Sequence, residues 1–90
     1  MLGKGKDTMR VTIKFFAQLK EVAGFEEITF DVPAGLQVEE LVTLLSEKIP
    51  SLEEFLKHGT QIALNCELAN AKSCIKDGDE VALHPPFSGG

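Results

Sequence analysis

Val38-Glu39-Glu40-Leu41-Val42-Thr43-Leu44-Leu45-Ser46-Glu47-Lys48-Ile49 is where the apolar period of this chain changes from two to that of a helix. Val38, Leu41, Val42, Leu45 and Ile49 fall at i, i+3, i+4, i+7 and i+11, one continuous apolar stripe. Glu39, Glu40, Glu47 and Lys48 take the wet face, and Leu44 widens the stripe from its margin. Gln37 is a weak start, because it lacks the short side-chain oxygen that caps first-turn N–H groups, a deficit of about 1 kcal/mol. Pro50 ends the helix, since the residue before a proline disfavours helical dihedrals.

On either side of this helix the pattern is that of strands. Upstream, Met9-Arg10-Val11-Thr12-Ile13-Lys14-Phe15-Phe16 has apolar residues at odd positions, the period of a half-buried strand, and Phe16 breaks the rule by placing a ring on the outward side. Ala17 to Val22 forms a short helical turn that stops at Gly24, and Glu27-Ile28-Thr29-Phe30-Asp31-Val32 alternates again up to Pro33-Ala34-Gly35. Strands joined by so short a connection pair antiparallel. Downstream, Ser51 caps a second short turn, with Glu54 three residues on and Gly59 as its stop. Ile62 and Leu64 mark a third strand, and Asn65 to Asn70 reads as a hairpin or a bend. Lys76-Asp77-Gly78-Asp79 is a turn, after which Val81 and Leu83 point inward and Ala82 and His84 outward. Pro85 and Pro86 carry no N–H, so the ladder stops there and the chain is pushed out in extended form.

The order β, β, α, β, β with one apolar helix stripe predicts an α+β roll, a mixed sheet of four to five strands with one main helix across one face. The last strand is expected beside the first, where the longest apolar strand is covered on both edges. Residues 9–90 form this single domain, and residues 1–8, polar and glycine-containing, form a flexible N-terminal extension.

Composition narrows the function classes. The chain is 43% apolar, with six Phe and no Trp or Tyr, and no apolar run approaches the ~20 residues of a membrane span. Residues 1–8 show no apolar secretory core, so the cytosol is the expected compartment and no membrane partner is expected. A net charge of −5 argues against nucleic acid as a partner, which needs clustered Lys and Arg, and suits either a basic protein groove or simple solubility. Cys66 and Cys74 lack a Cys-x-x-Cys spacing or a histidine at metal spacing, so they read as packed or bystander thiols and no metal is expected. Glu26-Glu27 and Glu53-Glu54 are solvated faces, His58 a solvated residue near a helix end, and His84 an exposed histidine on an edge strand, with a pH switch or a ligand as the alternative. The outward Phe16 is equally a partner contact or an edge filler.

The chain closes on Pro85-Pro86-Phe87-Ser88-Gly89-Gly90. Two residues without Cβ let a tail thread a narrow channel and present the Gly90 carboxylate unhindered, whereas the same pair can equally be a frayed end. Six residues from Pro85 reach about 18–20 Å when extended at ~3.1–3.4 Å per residue.

Phe15-Phe16-Ala17 with Leu19, Glu21 and Gly24, then Pro50-Ser51-Leu52, Ala63-Leu64-Asn65, Asp77-Gly78-Asp79-Glu80-Val81-Ala82 and the Pro-Pro-x-Ser-Gly-Gly ending resemble the sulfur-carrier (small) subunit of molybdopterin synthase, the MoaD/ThiS type. The resemblance spans Met9 to Gly90. It implies the β-grasp, ubiquitin-like fold, in agreement with the roll read from periodicity. It also implies that Gly90 is adenylated by an E1-like enzyme of MoeB type using ATP. A thiocarboxylate then forms there, and its sulfur goes to a pterin precursor held by the large catalytic subunit, of MoaE type. Phe87, Ser88, Gly89 and Gly90 are the residues that enter the partner. Phe16, His84, Pro85 and Pro86 are candidates for the surface that meets it. No cofactor is bound by the chain itself, which is a sulfur-donating subunit without a catalytic side chain of its own. Two departures touch that surface: His84 stands where an apolar or aromatic residue is expected, and Cys66-Glu67-Leu68-Ala69 is not the usual hairpin. A thiamine-type sulfur carrier, a ubiquitin-like protein modifier and a β-grasp interaction module remain as alternatives.

Overall fold

The computed structural model describes residues 8–85. Strand β1 (Thr8–Phe15) buries Met9, Val11, Ile13 and Phe15, the odd positions of the alternation, and begins one residue earlier than the apolar pattern does. Helix α1 (Gln18–Ala23) follows and ends at Gly24, whose φ of +86° is the left-handed C-cap glycine adopts without strain. Strand β2 (Glu27–Pro33) then runs back antiparallel to β1, from Thr8↔Pro33 to Lys14↔Glu27.

Helix α2 (Val38–Lys48) carries the stripe, with Val38, Leu41 and Leu45 buried and Val42, Leu44 and Ile49 packed at its margin. Its N-terminus is better satisfied than Gln37 alone predicts. The Glu40 carboxylate reaches back to accept from the Gln37 N–H at 2.8 Å. The N–H groups of Val38 and Glu39 donate to the carbonyls of Ser73 and Ala71, each at 3.0 Å. A loop more than thirty residues away thus supplies the acceptors that a side-chain cap would otherwise provide.

After a 3-10 turn at Pro50–Leu52, helix α3 (Glu53–Lys57) is brief. Ser51 does not cap it: its hydroxyl donates instead to the Val22 carbonyl at 3.1 Å, tying this segment to α1. Thr60 Oγ1 donates to the Phe55 carbonyl at 2.6 Å and closes the helix at its other end.

Strands β3 (Gln61–Leu64) and β4 (Glu67–Leu68) form the hairpin, turning through Asn65 and Cys66 at φ +52° and +72°. Two successive positive φ values define a turn whose twist matches that of the strands, and an Asn at its first position tolerates it well. Strand β5 (Glu80–His84) inserts between β1 and β3, parallel to the first and antiparallel to the second, giving the order β2-β1-β5-β3-β4. The expected α+β roll, with its last strand beside its first, is therefore present, with five strands and α2 on one face. Val81 and Leu83 are fully buried beneath it.

The turn before β5 locks that insertion. Asp79 Oδ2 accepts from the Lys76 N–H and Asp77 Oδ1 from the Arg10 N–H, both at 2.7 Å, while the Gly78 N–H donates to the Arg10 carbonyl at 2.7 Å. Gly78 sits at φ +86° with no atom within 4 Å of where a Cβ would stand. The cost of Gly78→Ala is thus conformational alone, and urea unfolding should show a loss of about 1–2 kcal/mol, with Gly78→Asn losing less.

Candidate functional site

The base of the C-terminal tail lies at the middle of the sheet. The last pairing of β5 is His84 with Gln61 of β3, and on the other side the Phe16 N–H donates to the Leu83 carbonyl at 3.1 Å. His84 is thus half-buried in a central strand, which corrects its assignment as an exposed edge histidine: β3 returns beside β5 and covers it. Pro85 follows directly, also half-buried. Pro86, Phe87, Ser88, Gly89 and Gly90, named from the sequence as tail residues, lie outside the described residues, as do residues 1–7.

Phe16 and His84 come together. Their rings stack with centroids 4.6 Å apart and planes 4° from parallel, and Phe16 remains 41% exposed. Phe16 is turned outward because Phe15 occupies the buried position next to it. The chain then bends sharply through Ala17, at φ +54° and ψ −132°. That backbone conformation costs a residue with a Cβ on the order of 1–3 kcal/mol. It is held by the Leu19 N–H bonded to the Phe16 carbonyl and the Lys20 N–H bonded to the Ala17 carbonyl, both at 3.1 Å.

The stack forms one wall of a cleft of about 330 Å³ on the open face of the sheet, lined also by Lys14, Ala63, Cys66, Glu80 and Ala82. Lys14, Glu80 and Ala82 alternate with the buried residues of β1 and β5, and the polar half of those alternations was the signal for Lys14 and Glu80; Ala63 shares this face through its pairing with Ala82 although it is itself buried, and Cys66 comes from the hairpin turn. Lys14 and Glu80 form an ion pair across β1 and β5, and the bond to the Glu80 carboxylate, with its charge, holds the Lys14 ammonium above its usual range. Asn65 was legible only as a turn residue. Its side chain accepts from the Glu80 N–H and donates to Asp79 Oδ1, both at 2.9 Å, pinning the hairpin against the start of β5.

Both cysteines are free thiols, and both are exposed rather than packed. No described hydrogen bond joins Cys66 to His84, although both line the cleft. Among the described residues no group of three or more His, Cys, Asp and Glu is placed to hold a metal ion. His58, at the end of α3, lies 3.4 Å from Glu54. A larger apolar hollow, about 510 Å³ between α2 and the β3–β4 hairpin, includes none of Phe16, His84 or Pro85. Among the described residues no helix is long and apolar enough to cross a membrane.

What the arrangement offers chemically is a ring-faced platform, flanked by the Lys14–Glu80 ion pair, at the end of β5 beside Pro85. Comparison with known proteins gives it a context. The ThiS family model matches residues 13–90. The chain is 39% identical over 84 residues to the molybdopterin synthase sulfur carrier subunit of Chlamydomonas reinhardtii, an alignment covering 91% of this chain and all of that protein. It is similar to a chain of the structure of the complex of subunits 1 and 2 of the molybdopterin-converting factor from Helicobacter pylori, with 37% identity and a TM-score of 0.64 over 91% of this chain and 100% of that one. It is also similar to SAMP1 from Haloferax volcanii, with 33% identity and a TM-score of 0.79 over 90% of this chain and 99% of that one.

Proposed function

The chain belongs to the ThiS family, and on that premise we propose that it is the sulfur-carrier subunit of a molybdopterin synthase. The observation that carries this reading is the full-length match to a protein of that name, extending over 91% of this chain. The fold supports it physically. β5 is the central strand of the sheet, paired on both sides, so Pro85 at its end is anchored in the ladder rather than at an edge.

In this reading the reacting group is the Gly90 carboxylate. As an anion it is a poor electrophile, and transfer of AMP from ATP by an E1-like enzyme, with release of pyrophosphate, gives it a leaving group. The sulfur of a persulfide donor attacks the acyl carbon, AMP departs, and a thiol splits the remaining S–S bond to leave the thiocarboxylate. The large subunit then transfers that sulfur to a pterin precursor, and water restores the carboxylate. Gly89 and Gly90 give passage through a narrow channel, Phe87 and Ser88 set the depth of entry, and Phe16, His84, Pro85 and Pro86 form the shoulder against the partner. Catalytic side chains belong to the partners, and the chain holds no cofactor of its own.

Incubation of the full chain with ATP, a sulfur donor and the cognate E1-like enzyme should raise its intact mass by one oxygen-to-sulfur exchange, localised to the Gly90 peptide. An unchanged mass with an enzyme active on another carrier would refute the assignment. The likeness to a small archaeal modifier protein favours one second reading, conjugation to other proteins. That reading requires isopeptide-linked Gly-Gly remnants on target lysines, and recovery of only free or thiolated chain would exclude it.

A further inference from the structure

We propose that Ala17 is a positioning residue for docking: its left-handed turn holds the Phe16 ring on His84 before the large synthase subunit arrives. The inference rests on the function proposed above and deepens it by tracing the order of the docking surface to one backbone turn. Phe15↔Leu83 is the last pair of the parallel ladder, so one step on, Phe16 is level with His84. That register brings the two rings near each other and leaves the orientation of Phe16 to the backbone that follows. At Ala17 φ is +54° and ψ −132°. These lie close to the values, about +60° and −120°, of the first central residue in a type II′ turn, a position suited to glycine. The Leu19 N–H closes that turn on the Phe16 carbonyl, and the Phe16 N–H donates to the Leu83 carbonyl, both at 3.1 Å. Both polar backbone groups of Phe16 are therefore held, one by β5 and one by a turn whose far end, Leu19, is fully buried. The result is a parallel stack, 4.6 Å between centroids and 4° between planes, on a ring still 41% exposed.

Ala17 is itself exposed, so the packing of its methyl group does not account for the strained backbone. What the strain maintains is the placement of its neighbours. Moving φ into the ordinary negative range would separate the Leu19 N–H from the Phe16 carbonyl and free the ring on one side. An exposed aromatic side chain fixed before contact lowers the ordering cost of association. A partner that requires the stacked ring binds with an affinity scaled by the fraction of chains that hold it. A turn that keeps the stack in nearly every chain therefore preserves the full affinity, and one that keeps it in a tenth of them weakens binding about tenfold. The stack and the turn thus act as one unit, with the ring making the contact and Ala17 setting its direction.

The test has two readouts on the full chain. In the free chain at one fixed pH, NMR shifts of the His84 ring protons report the stack, because the Phe16 ring displaces them upfield relative to Phe16→Ala. Calorimetry with the cognate large subunit reports docking. Ala17→Gly, which adopts the turn without strain, should raise the urea midpoint and leave the stack and the affinity within about twofold of wild type. Ala17→Val, β-branched and so most disfavoured at positive φ, should lower the stacked fraction to about a tenth and weaken docking by the same factor. In a Phe16→Ala background the Val substitution should change affinity by less than about twofold, an independence that a general loss of structure would not produce. Ala17→Leu, unbranched at Cβ, makes the same comparison at lower strain if the Val chain does not fold. A wild-type shift equal to that of Phe16→Ala overturns the preformed stack. A full stack or full affinity in the folded Val or Leu chain, or equal losses in both backgrounds, overturns the role of the turn. Absence of binding by wild type overturns the partner assignment and the docking half of the proposal with it, while the free-chain shifts still decide whether the turn holds the ring.

Discussion

Removing Gly89 and Gly90 is expected to reduce sulfur loading and molybdopterin formation to background while leaving the fold intact. The two halves of this expectation have separate physical grounds. On the mechanism proposed above, loading requires a carboxylate that reaches an adenylating site. A chain ending at Ser88 would present its carboxylate two residues short, about 6–7 Å at the spacing of an extended chain, and on a residue that carries a side chain where the proposal has glycine. A shortfall of that size abolishes the in-line approach to ATP, since misplacement by even 1 Å can cost two orders of magnitude. Stability should not follow, because the ladder is complete at His84↔Gln61 and the core beneath it is closed by Val81 and Leu83. Intact-mass measurement after incubation with the activating enzyme checks the first half, and urea unfolding the second. A truncated chain that still gains sulfur would move the reactive site away from Gly90 altogether, whereas one that unfolds readily would mean that the tail contributes to the domain.

The alternations that placed β1 and β5 and the stripe that placed α2 were legible because each depends only on neighbours a few residues apart. Val11, Ile13, Val81 and Leu83 are inward in the sequence pattern and fully buried in the fold. What escaped the sequence depends on residues far along the chain. Gln37 is a poor cap by composition, yet its helix starts cleanly because the carbonyls of Ala71 and Ser73 arrive there. Ser51 has the local signature of a cap, and its hydroxyl is claimed by Val22 instead. His84 looked like an edge residue because the position of β3 beside β5 cannot be read from β5 itself. The candidate site divides in the same way: Phe16 and His84 are both named from the sequence for the partner-facing surface, but nothing local puts one ring on the other. Only the parallel pairing of β1 and β5 shows that they are stacked. The motif that launches the tail was legible as a turn, while its bonds from Asp77 and Gly78 to Arg10 were not.

Phe15→Ala should destabilise the domain by about 3–5 kcal/mol, and Phe16→Ala, one residue on, by less than about 1 kcal/mol. The contrast isolates burial as the cause, since both positions belong to the same stretch of chain and lose the same atoms. Phe15 is only 1% exposed, the largest of the fully buried side chains, paired with Leu83 of β5 and in one core cluster with Leu19, Leu45 and Leu52. Its removal forfeits the transfer of a ring from water and leaves a cavity that the helices on one side and the sheet on the other cannot close. A domain of this size holds a net stability of the order of 5–13 kcal/mol, so that loss is a large fraction of the whole, and the variant should unfold at markedly lower urea with an unchanged slope. Phe16 loses a ring that water already reaches and that is stacked on His84, which becomes more solvated without being orphaned. Its substitution should therefore appear in docking rather than in folding, with affinity for the large subunit weakened at every pH. If Phe16→Ala proved as destabilising as Phe15→Ala, the stack would be a structural brace of β5, and the platform would have to be reassigned from partner recognition to the integrity of the sheet.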